Sequence, residues 1–337
     1  MLKKELGYEV RKILFGKDRG IKKEVITGYA TSFDGTQIWF RKVSPVKKID
    51  DKTPPLVLSN GIGTTIRYWR YVEDYISDIT DVVVWDYRGH GRSGAPKSED
   101  VSMSALAKDM KAVCDELEIK EGIFGGFSMG VQVILEFFRL FPNMVKGLIP
   151  ALGPYEHPAK YFLDFPLMEI ILKITAKLVF FNPQRAQKIW SRLMTVSLAF
   201  RLGKVVGLIS ERLFFLNPLL AHADDFTEYF ENLRKMDITV FFKMALESQA
   251  HSAEDVLPKI SVPTLVIIGE NDIFTPKYVP LKMAEKIKNS EVLMLPKGSH
   301  GGLVEHAELV CLRIEKFIRD HFSSQSKNAQ VNGTKQQ

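Results

Sequence analysis

Short apolar runs recur along the chain and alternate with segments of helical periodicity. From Val25 to Val43, two stretches of alternating apolar and polar residues flank Asp34-Gly35, a pair typical of tight turns, and they predict an antiparallel hairpin. The continuous apolar runs PPLVLSN (54–60) and DVVVWDYRG (81–89) are typical of strands that are covered on both faces. Further strands are predicted over 122–126, 145–152, 264–269 and 292–295, and helices over 66–76, 102–117, 131–140, 280–287 and 303–321. Strands that alternate with helices indicate an α/β fold with a mostly parallel sheet.

This alternation stops after Leu152 and resumes only at 264–269, which predicts an insertion over residues 154–254. Within the insertion, 167–181 has the pattern of an apolar helix that carries one narrow polar stripe. The stripe consists of residues spaced four apart: Glu169, Lys173 and Lys177. No uncharged stretch of the sequence approaches the roughly 20 residues that a membrane span requires. We therefore expect the insertion to be helical without crossing a bilayer.

The composition, with 45% hydrophobic and 26% charged residues, is that of an ordinary globular chain. It excludes collagen-like repeats, extensive disorder and a bundle of membrane spans. The two cysteines, Cys114 and Cys311, provide neither a disulfide framework nor a CxxC metal or redox motif. The N-terminus carries charges through its first dozen residues and lacks the apolar core of a signal peptide. These features predict a cytoplasmic protein in a reducing environment.

The net charge of +6 is unevenly distributed. Residues 1–23, a predicted basic N-terminal extension, contain eight Lys and Arg against three Asp and Glu, and residues 161–216 contain the same numbers. Because no aromatic-basic pattern or recognition helix accompanies this charge, we expect no nucleic-acid partner. Basic residues beside apolar helices favour peripheral contact with a membrane surface through the insertion or the N-terminus. The polar tail over 322–337 is predicted to be disordered, and the sequence does not indicate an oligomeric state.

The candidate chemistry centres on Gly126-Phe127-Ser128-Met129-Gly130, a G-x-S-x-G motif between a predicted strand and a predicted helix. In this context the serine occupies a strained turn that exposes its hydroxyl above the sheet, and the flanking glycines keep side chains away. The position of the motif in the chain, more than the pattern alone, therefore identifies Ser128 as a candidate nucleophile.

A serine hydroxyl needs a base, and the base needs a carboxylate that holds its tautomer. Asp272 follows the predicted strand 264–269, and His300 follows the last predicted strand in the loop Lys297-Gly298-Ser299-His300-Gly301-Gly302. Carboxyl ends of parallel strands gather catalytic groups, so both residues are well placed. Glu270 lies two residues before Asp272 and is the alternative acid.

At this point the sequence resembles the α/β-hydrolase fold superfamily, whose members keep the order Ser, Asp, His. The segment Asp86 to Gly94 also resembles the D-x-R-G-x-G-x-S loop of that family. The resemblance implies a mostly parallel eight-stranded sheet flanked by helices, with a core over 24–153 and 255–321. Residues 154–254 would then form a helical cap, or lid, inserted after strand 6.

The same resemblance implies an oxyanion hole made by the backbone N–H groups of Met129 and Ile62. Asn60 stands where many relatives have His, which puts the support of this loop in question more than the donor itself. Phe127 and Val131 also depart from the commonest pattern, and we expect them to shape the floor of the pocket.

The function implied is a serine hydrolase that cleaves carboxylic esters, including lipid esters such as monoacylglycerols, through an acyl-enzyme on Ser128. The cycle requires no metal and no cofactor. Amidases, carbon–carbon bond hydrolases and perhydrolases share the triad and remain alternatives. A slow-turnover or non-catalytic ligand receptor on the same scaffold is an alternative of another class.

Two other features resemble functional motifs. His90 lies in a glycine-rich loop, which favours a structural role over catalysis. The sequence from Gly61 to Gly63, followed by Asp86, imitates a dinucleotide-binding fingerprint. Ile66 replaces its third glycine, so the pyrophosphate seat and the close approach of helix and strand are compromised.

Overall fold

The computed structural model describes residues 21–48, 50–201 and 231–323, and within these ranges eight strands form one sheet. The strands are β1 (Lys23–Thr31), β2 (Gln37–Pro45), β3 (Leu56–Ser59), β4 (Val82–Trp85), β5 (Gly122–Phe127), β6 (Val145–Ala151), β7 (Thr264–Gly269) and β8 (Ser290–Leu295). Their order across the sheet is β1-β2-β4-β3-β5-β6-β7-β8. β2 is antiparallel to both β1 and β4, and every other neighbouring pair is parallel. The mostly parallel, eight-stranded sheet is therefore confirmed.

Helices cover both faces of this sheet, and other helices lie in the insertion between β6 and β7. They are α1 (Arg70–Ile76), α2 (Met103–Glu116), α3 (Met129–Leu140), α4 (Met168–Phe181), α5 (Pro183–Arg201), α6 (Ile238–Ala250), α7 (Tyr278–Lys286), α8 (Gly302–Glu305) and α9 (Ala307–Phe322). Buried side chains of α2, α3 and α7 pack on one face of the sheet, and those of α1 and α9 pack on the other. Each central strand is thus covered on both sides, which explains why β3, β4, β5 and β7 are fully buried.

The predicted hairpin joins β1 to β2 at the expected turn. Gly35 has a φ of 82°, a region that glycine adopts at little steric cost, and the Asp34 carboxylate accepts the Thr36 N–H across 3.0 Å. The register pairs Thr31 with Gln37 and continues to Lys23 opposite Pro45. The turn at Asp34-Gly35 and the alternating strands therefore form the antiparallel hairpin that the sequence predicts.

The insertion lies between β6 and β7, and its described part is helical. Short 3-10 turns at Pro158–Lys160 and Phe162–Asp164 lead into α4 and α5, and α6 returns to the core. Buried side chains of α4 and α6 form a small cluster of their own: Ala176, Val179, Ile238 and Phe242. The boundaries of the predicted cap stay predictions, and residues 202–230 lie outside the described part.

Most of the predicted N-terminal extension and most of the predicted tail also lie outside the described residues. Across the part of the chain that the structure does describe, none of the helices is long and apolar enough to cross a membrane.

Candidate active site

Ser128 occupies the turn between β5 and α3, where the backbone is strained. Its φ of 55° and ψ of −120° are rarely adopted by a residue with a side chain. A Cβ at Gly126 would lie 2.1 Å from the Gly130 carbonyl oxygen, and one at Gly130 would lie 2.7 Å from the Asn60 carbonyl oxygen. Both glycines of the motif are therefore required by close backbone contacts on either side of the serine.

His300 lies between Ser128 and Asp272 and is hydrogen-bonded to both. Its Nε2 is 3.0 Å from Ser128 Oγ, and its Nδ1 is 2.9 Å from Asp272 Oδ2. Because a carboxylate can only accept, Nδ1 is the donor, and Nε2 keeps its lone pair toward the serine hydroxyl. The structure brings the three predicted residues together in the arrangement that nucleophilic catalysis needs.

The acid is held by its own loop. Asp272 is 4% exposed, and its Oδ1 accepts the N–H groups of Phe274 at 2.8 Å and Thr275 at 3.0 Å. Glu270, the alternative acid, lies at the surface, where its carboxylate accepts the Lys297 N–H across 2.8 Å. The geometry therefore favours Asp272 as the partner of His300.

The Ser128 and His300 side chains face a cavity of about 350 Å³ beneath the insertion. Its lining is largely apolar, and none of the described lining residues is Lys, Arg, Asp or Glu. The lining residues are Ile62, Ser128, Met129, Gln132, Pro154, Pro158, Ala159, Phe162, Met168, Ile171, Leu172, Thr175, Phe241, Phe242, Ala245, Ser248, Phe274, Thr275 and His300.

The two predicted oxyanion donors lie in this lining. Met129 is the first residue of α3, and an amide at that position has no acceptor within its own helix. Ile62 lies in the loop after β3 and is part of the same lining. Their role as donors stays a prediction, and their placement is compatible with it.

The floor of the cavity differs from the expectation. Phe127 and Val131 are buried but are not part of the lining, and Gln132 and Ser248 lie there instead. Gln132 is four residues after Ser128, near the start of α3, and its side chain lines the same cavity as the serine. This spacing was a usable signal that the sequence analysis missed. Gln132 donates to the Ser248 carbonyl across 2.9 Å and accepts from the Ser248 hydroxyl.

Two aromatic rings enclose the imidazole. Phe274 stacks on His300 with ring centroids 4.7 Å apart, and Phe127 lies 5.2 Å from it on a tilted plane. Tyr68 stacks on Phe127, and its hydroxyl donates to the His300 carbonyl across 3.3 Å. Phe274 and Tyr68 have no periodic or motif signal, and the sequence analysis missed both.

A family model described as alpha/beta hydrolase fold matches residues 54–307, which is most of the chain. The chain belongs to the alpha/beta hydrolase fold family.

Curated relatives match over most of their length. "Putative carbamate hydrolase RutD" of Stutzerimonas stutzeri is 24% identical over 282 residues, covering 82% of this chain and 95% of that protein. The protein of the same name from Pseudomonas syringae pv. syringae is 28% identical over 275 residues, covering 81% and 95%.

Solved structures share the fold of this alpha/beta hydrolase. An esterase from Exiguobacterium antarcticum superposes with a TM-score of 0.67 at 19% identity, covering 87% of this chain and all of that one. The enol-lactonase from Burkholderia xenovorans superposes with a TM-score of 0.65 at 19% identity, covering 86% of this chain and 99% of that one. The chain is thus a hydrolase-family protein, and the bond it cleaves is a separate question.

In this alpha/beta hydrolase, ion pairs and hydrogen bonds of buried charged side chains hold the loop after β4 in place. Arg88 is fully buried and forms ion pairs with Asp109 at 2.6 Å and Asp34 at 3.0 Å. The Asp86 carboxylate accepts the N–H groups of Ile66 at 3.3 Å and Arg92 at 3.1 Å. Burial raises the pKa of Asp86 to about 6, against the opposing effect of those two N–H donors. Asp86, the acid of the apparent dinucleotide-binding fingerprint, thus stabilises the loop through these hydrogen bonds.

His90 is buried in the same loop, and its hydrogen-bond partners are backbone groups. Its Nε2 accepts the Gly63 N–H across 3.1 Å, and its Nδ1 lies 3.2 Å from the Arg88 carbonyl. Burial lowers the pKa of His90 to about 4. A neutral imidazole that supports the Ile62 loop fits the structural role predicted for His90.

No group of three His, Cys, Asp or Glu within residues 21–48, 50–201 and 231–323 is arranged to hold a metal ion. Cys114 and Cys311 are buried, and burial raises the pKa of the Cys114 thiol to about 12. Neither thiol is placed to act as a nucleophile at neutral pH.

Proposed function

We propose that the protein is a serine hydrolase that cleaves carboxylic esters with an apolar acyl group, through an acyl-enzyme on Ser128. The observation that carries the proposal is that Ser128 is hydrogen-bonded to His300, and His300 to Asp272. The Ser128 and His300 side chains line an apolar cavity. Membership of the family supports the hydrolase part of the proposal.

In the proposed cycle, the Ser128 hydroxyl attacks the ester carbonyl while His300 Nε2 takes its proton. Asp272 stabilises the resulting imidazolium, and the N–H groups of Ile62 and Met129 bind the developing oxyanion. His300 then protonates the departing alcohol as the acyl-enzyme forms. A water molecule, deprotonated by His300, hydrolyses the acyl-enzyme and regenerates Ser128.

The cavity favours esters with an apolar acyl group over the carbamates that the name of the curated relatives mentions. A carbamate carries a nitrogen on its carbonyl carbon, and ionised carbamic acid also carries a negative charge; a site binds these groups with hydrogen-bonding or cationic side chains. The described lining contains no Lys or Arg, and its amide, Gln132, is hydrogen-bonded to Ser248. Apolar side chains such as Phe162, Leu172 and Phe241 would instead take an acyl chain.

Labelling with a fluorophosphonate probe tests the nucleophile. The wild-type protein and a Ser261→Ala control, changed at an exposed serine outside the cavity, should both be labelled. The Ser128→Ala variant should not be labelled and should lose about a thousandfold or more in kcat/KM. Equal labelling of the Ser128→Ala variant would show that another residue is the nucleophile.

Substrate choice is tested with p-nitrophenyl esters of rising acyl length beside carbamate esters. We expect kcat/KM to rise from acetyl to medium-length chains, and many turnovers per active site. Faster cleavage of the carbamates would favour the activity named for the relatives. A single turnover per protein, with either substrate, would favour the receptor alternative.

A further inference from the structure

The outer face of α4 is apolar and exposed. Together with Leu167, which directly precedes the helix, it consists of residues spaced by three or four positions, so that their side chains form one stripe: Ile170, Ile174, Leu178 and Phe181. Leu178 is 66% exposed and Phe181 is 89% exposed. A folded chain seldom leaves a continuous stripe of this kind in water, and such patches mark interaction surfaces.

The opposite face of the same helix belongs to the candidate active site. Leu172 and Thr175 line the cavity, and Ala176 and Val179 pack in the core of the insertion. Ile171 lines the cavity and is nevertheless 45% exposed. The wall of the cavity is therefore continuous with the exposed apolar surface.

Basic residues accompany the stripe. Lys173 and Lys177 lie one turn apart on α4, where Glu169 forms an ion pair with Lys173 at 2.6 Å. On α5, exposed basic residues are spaced along one face: Arg185, Lys188 and Arg192. Residues 168–195 thus contain five Lys and Arg against one Glu, on the same two helices that carry exposed apolar residues. This combination is typical of helices that lie in the interface of an anionic membrane.

We propose that the outer face of α4 docks on an anionic lipid surface, with the stripe in the acyl boundary and the lysines among the headgroups. A second copy of the chain is a poorer occupant, because a two-fold contact sets the same patch against itself. Lys173 and Lys177 of one copy would then approach the same residues of the other. The docking depends only on this surface, whereas delivery of a lipid-borne ester to Ser128 also rests on the proposed function.

Vesicle co-sedimentation of the full chain tests the docking. Phosphatidylcholine vesicles are compared with vesicles that also contain phosphatidylserine, at low and at physiological salt. The wild-type protein should bind the anionic vesicles, and more weakly at the higher salt. A Leu178→Gln/Phe181→Gln variant should bind about tenfold or more weakly, because two largely exposed apolar side chains no longer insert. A Lys173→Gln/Lys177→Gln variant should lose about thirtyfold, since each lysine contributes about fivefold.

A matched control changes two exposed leucines on α9, as Leu309→Gln/Leu312→Gln. It should bind like the wild type. Equal binding by the Leu178→Gln/Phe181→Gln variant, or equal loss in the control, would overturn the proposal. A second outcome would also overturn the proposal: the wild type does not bind vesicles and is a dimer by light scattering, whereas the Leu178→Gln/Phe181→Gln variant is a monomer. Circular dichroism checks that each variant is folded.

The result is separable from the proposed function. Ser128→Ala should bind vesicles like the wild type, so inactivity on every ester would leave the docking result intact. The Leu178→Gln/Phe181→Gln variant should hydrolyse a water-soluble ester at the wild-type rate, because neither residue lines the cavity.

Discussion

We predict that His90 lowers the stability of the folded protein at acidic pH, and that a His90→Gln variant removes this contribution. A backbone N–H can only donate, so the contact with Gly63 requires an unprotonated Nε2. The Nδ1 proton then faces the Arg88 carbonyl. Protonation would place two donors against each other inside the core. Gln can still accept the Gly63 N–H through its side-chain oxygen, but it does not titrate.

The size of the effect follows from the pKa of His90, which burial lowers from 6.5 to about 4. Each pH unit between the two values is worth about 1.4 kcal/mol. In this window the unfolded chain binds a proton that the folded chain does not, so stability is full above pH 6.5 and falls as pH falls toward 4. The loss is about 2 kcal/mol at pH 5 and about 3 kcal/mol at pH 4.

Asp86 opposes this trend, so the wild-type profile alone conceals it. Burial raises the pKa of Asp86 to about 6, from 3.8. The folded chain therefore holds this proton where the unfolded chain releases it, and stability falls as pH rises from 3.8 toward 6. Because Asp86 is present in both proteins, the difference between the wild type and His90→Gln isolates His90.

The assay is urea denaturation followed by tryptophan fluorescence, with buried Trp69 and Trp85 as reporters. The free energy of unfolding of each protein is measured from pH 7.5 to pH 4. Relative to the variant, the wild type should lose about 2 kcal/mol by pH 5. A difference that stays constant with pH, or one that grows as pH rises, would refute the assignment of a neutral, buried His90.

Other variants test the remaining parts of the site. Asp272→Asn should lower kcat by about ten-thousandfold, whereas Glu270→Gln should leave steady-state kcat unchanged; similar losses in both would contradict the choice of acid. Phe274→Ala should lower kcat by up to about tenfold, since an aromatic pair is worth about 1 kcal/mol, and should alter the pH profile of kcat/KM. Phe274→Tyr should restore both, and equal pH profiles for all three proteins would exclude a positioning role. Gly126→Ala should cost more than about 3 kcal/mol in urea denaturation, because the new Cβ would lie 2.1 Å from a carbonyl oxygen. Gly94→Ala, whose Cβ would meet its neighbours at 3.5 Å, is the control; equal effects would refute the steric argument.

The sheet was predictable because its strands have recognisable patterns of apolar and polar residues. Strands such as β4 (Val82–Trp85) are buried on both faces, so they contain no polar alternation, whereas the two-stranded edge alternates around the turn at Asp34. The order of Ser128, Asp272 and His300 was readable for a related reason. Each residue lies in the turn or loop that follows a recognisable strand, and the carboxyl ends of parallel strands meet at one edge of the sheet.

Contacts made by loop side chains could not be predicted in the same way. Phe274 lies in a loop without a period, and its stacking on His300 depends on how two distant loops fold toward each other. The choice between Asp272 and Glu270 is likewise decided by which carboxylate the loop turns inward. Two acidic residues of one loop are equally good candidates in the sequence, and only the path of the backbone determines which carboxylate contacts His300.

Hydrogen bonds at Asn60 show how the loop that carries Ile62, the predicted oxyanion donor, is supported. Asn60 donates from Nδ2 to the Trp85 carbonyl across 2.7 Å, and its own carbonyl accepts the Tyr87 hydroxyl. One residue beyond the predicted donor Ile62, the Gly63 N–H is held by His90. The loop after β3 is therefore fastened to the loop after β4 at both ends, on either side of Ile62. Support comes from hydrogen bonds between adjacent strand ends, so a histidine at position 60 is not required for it.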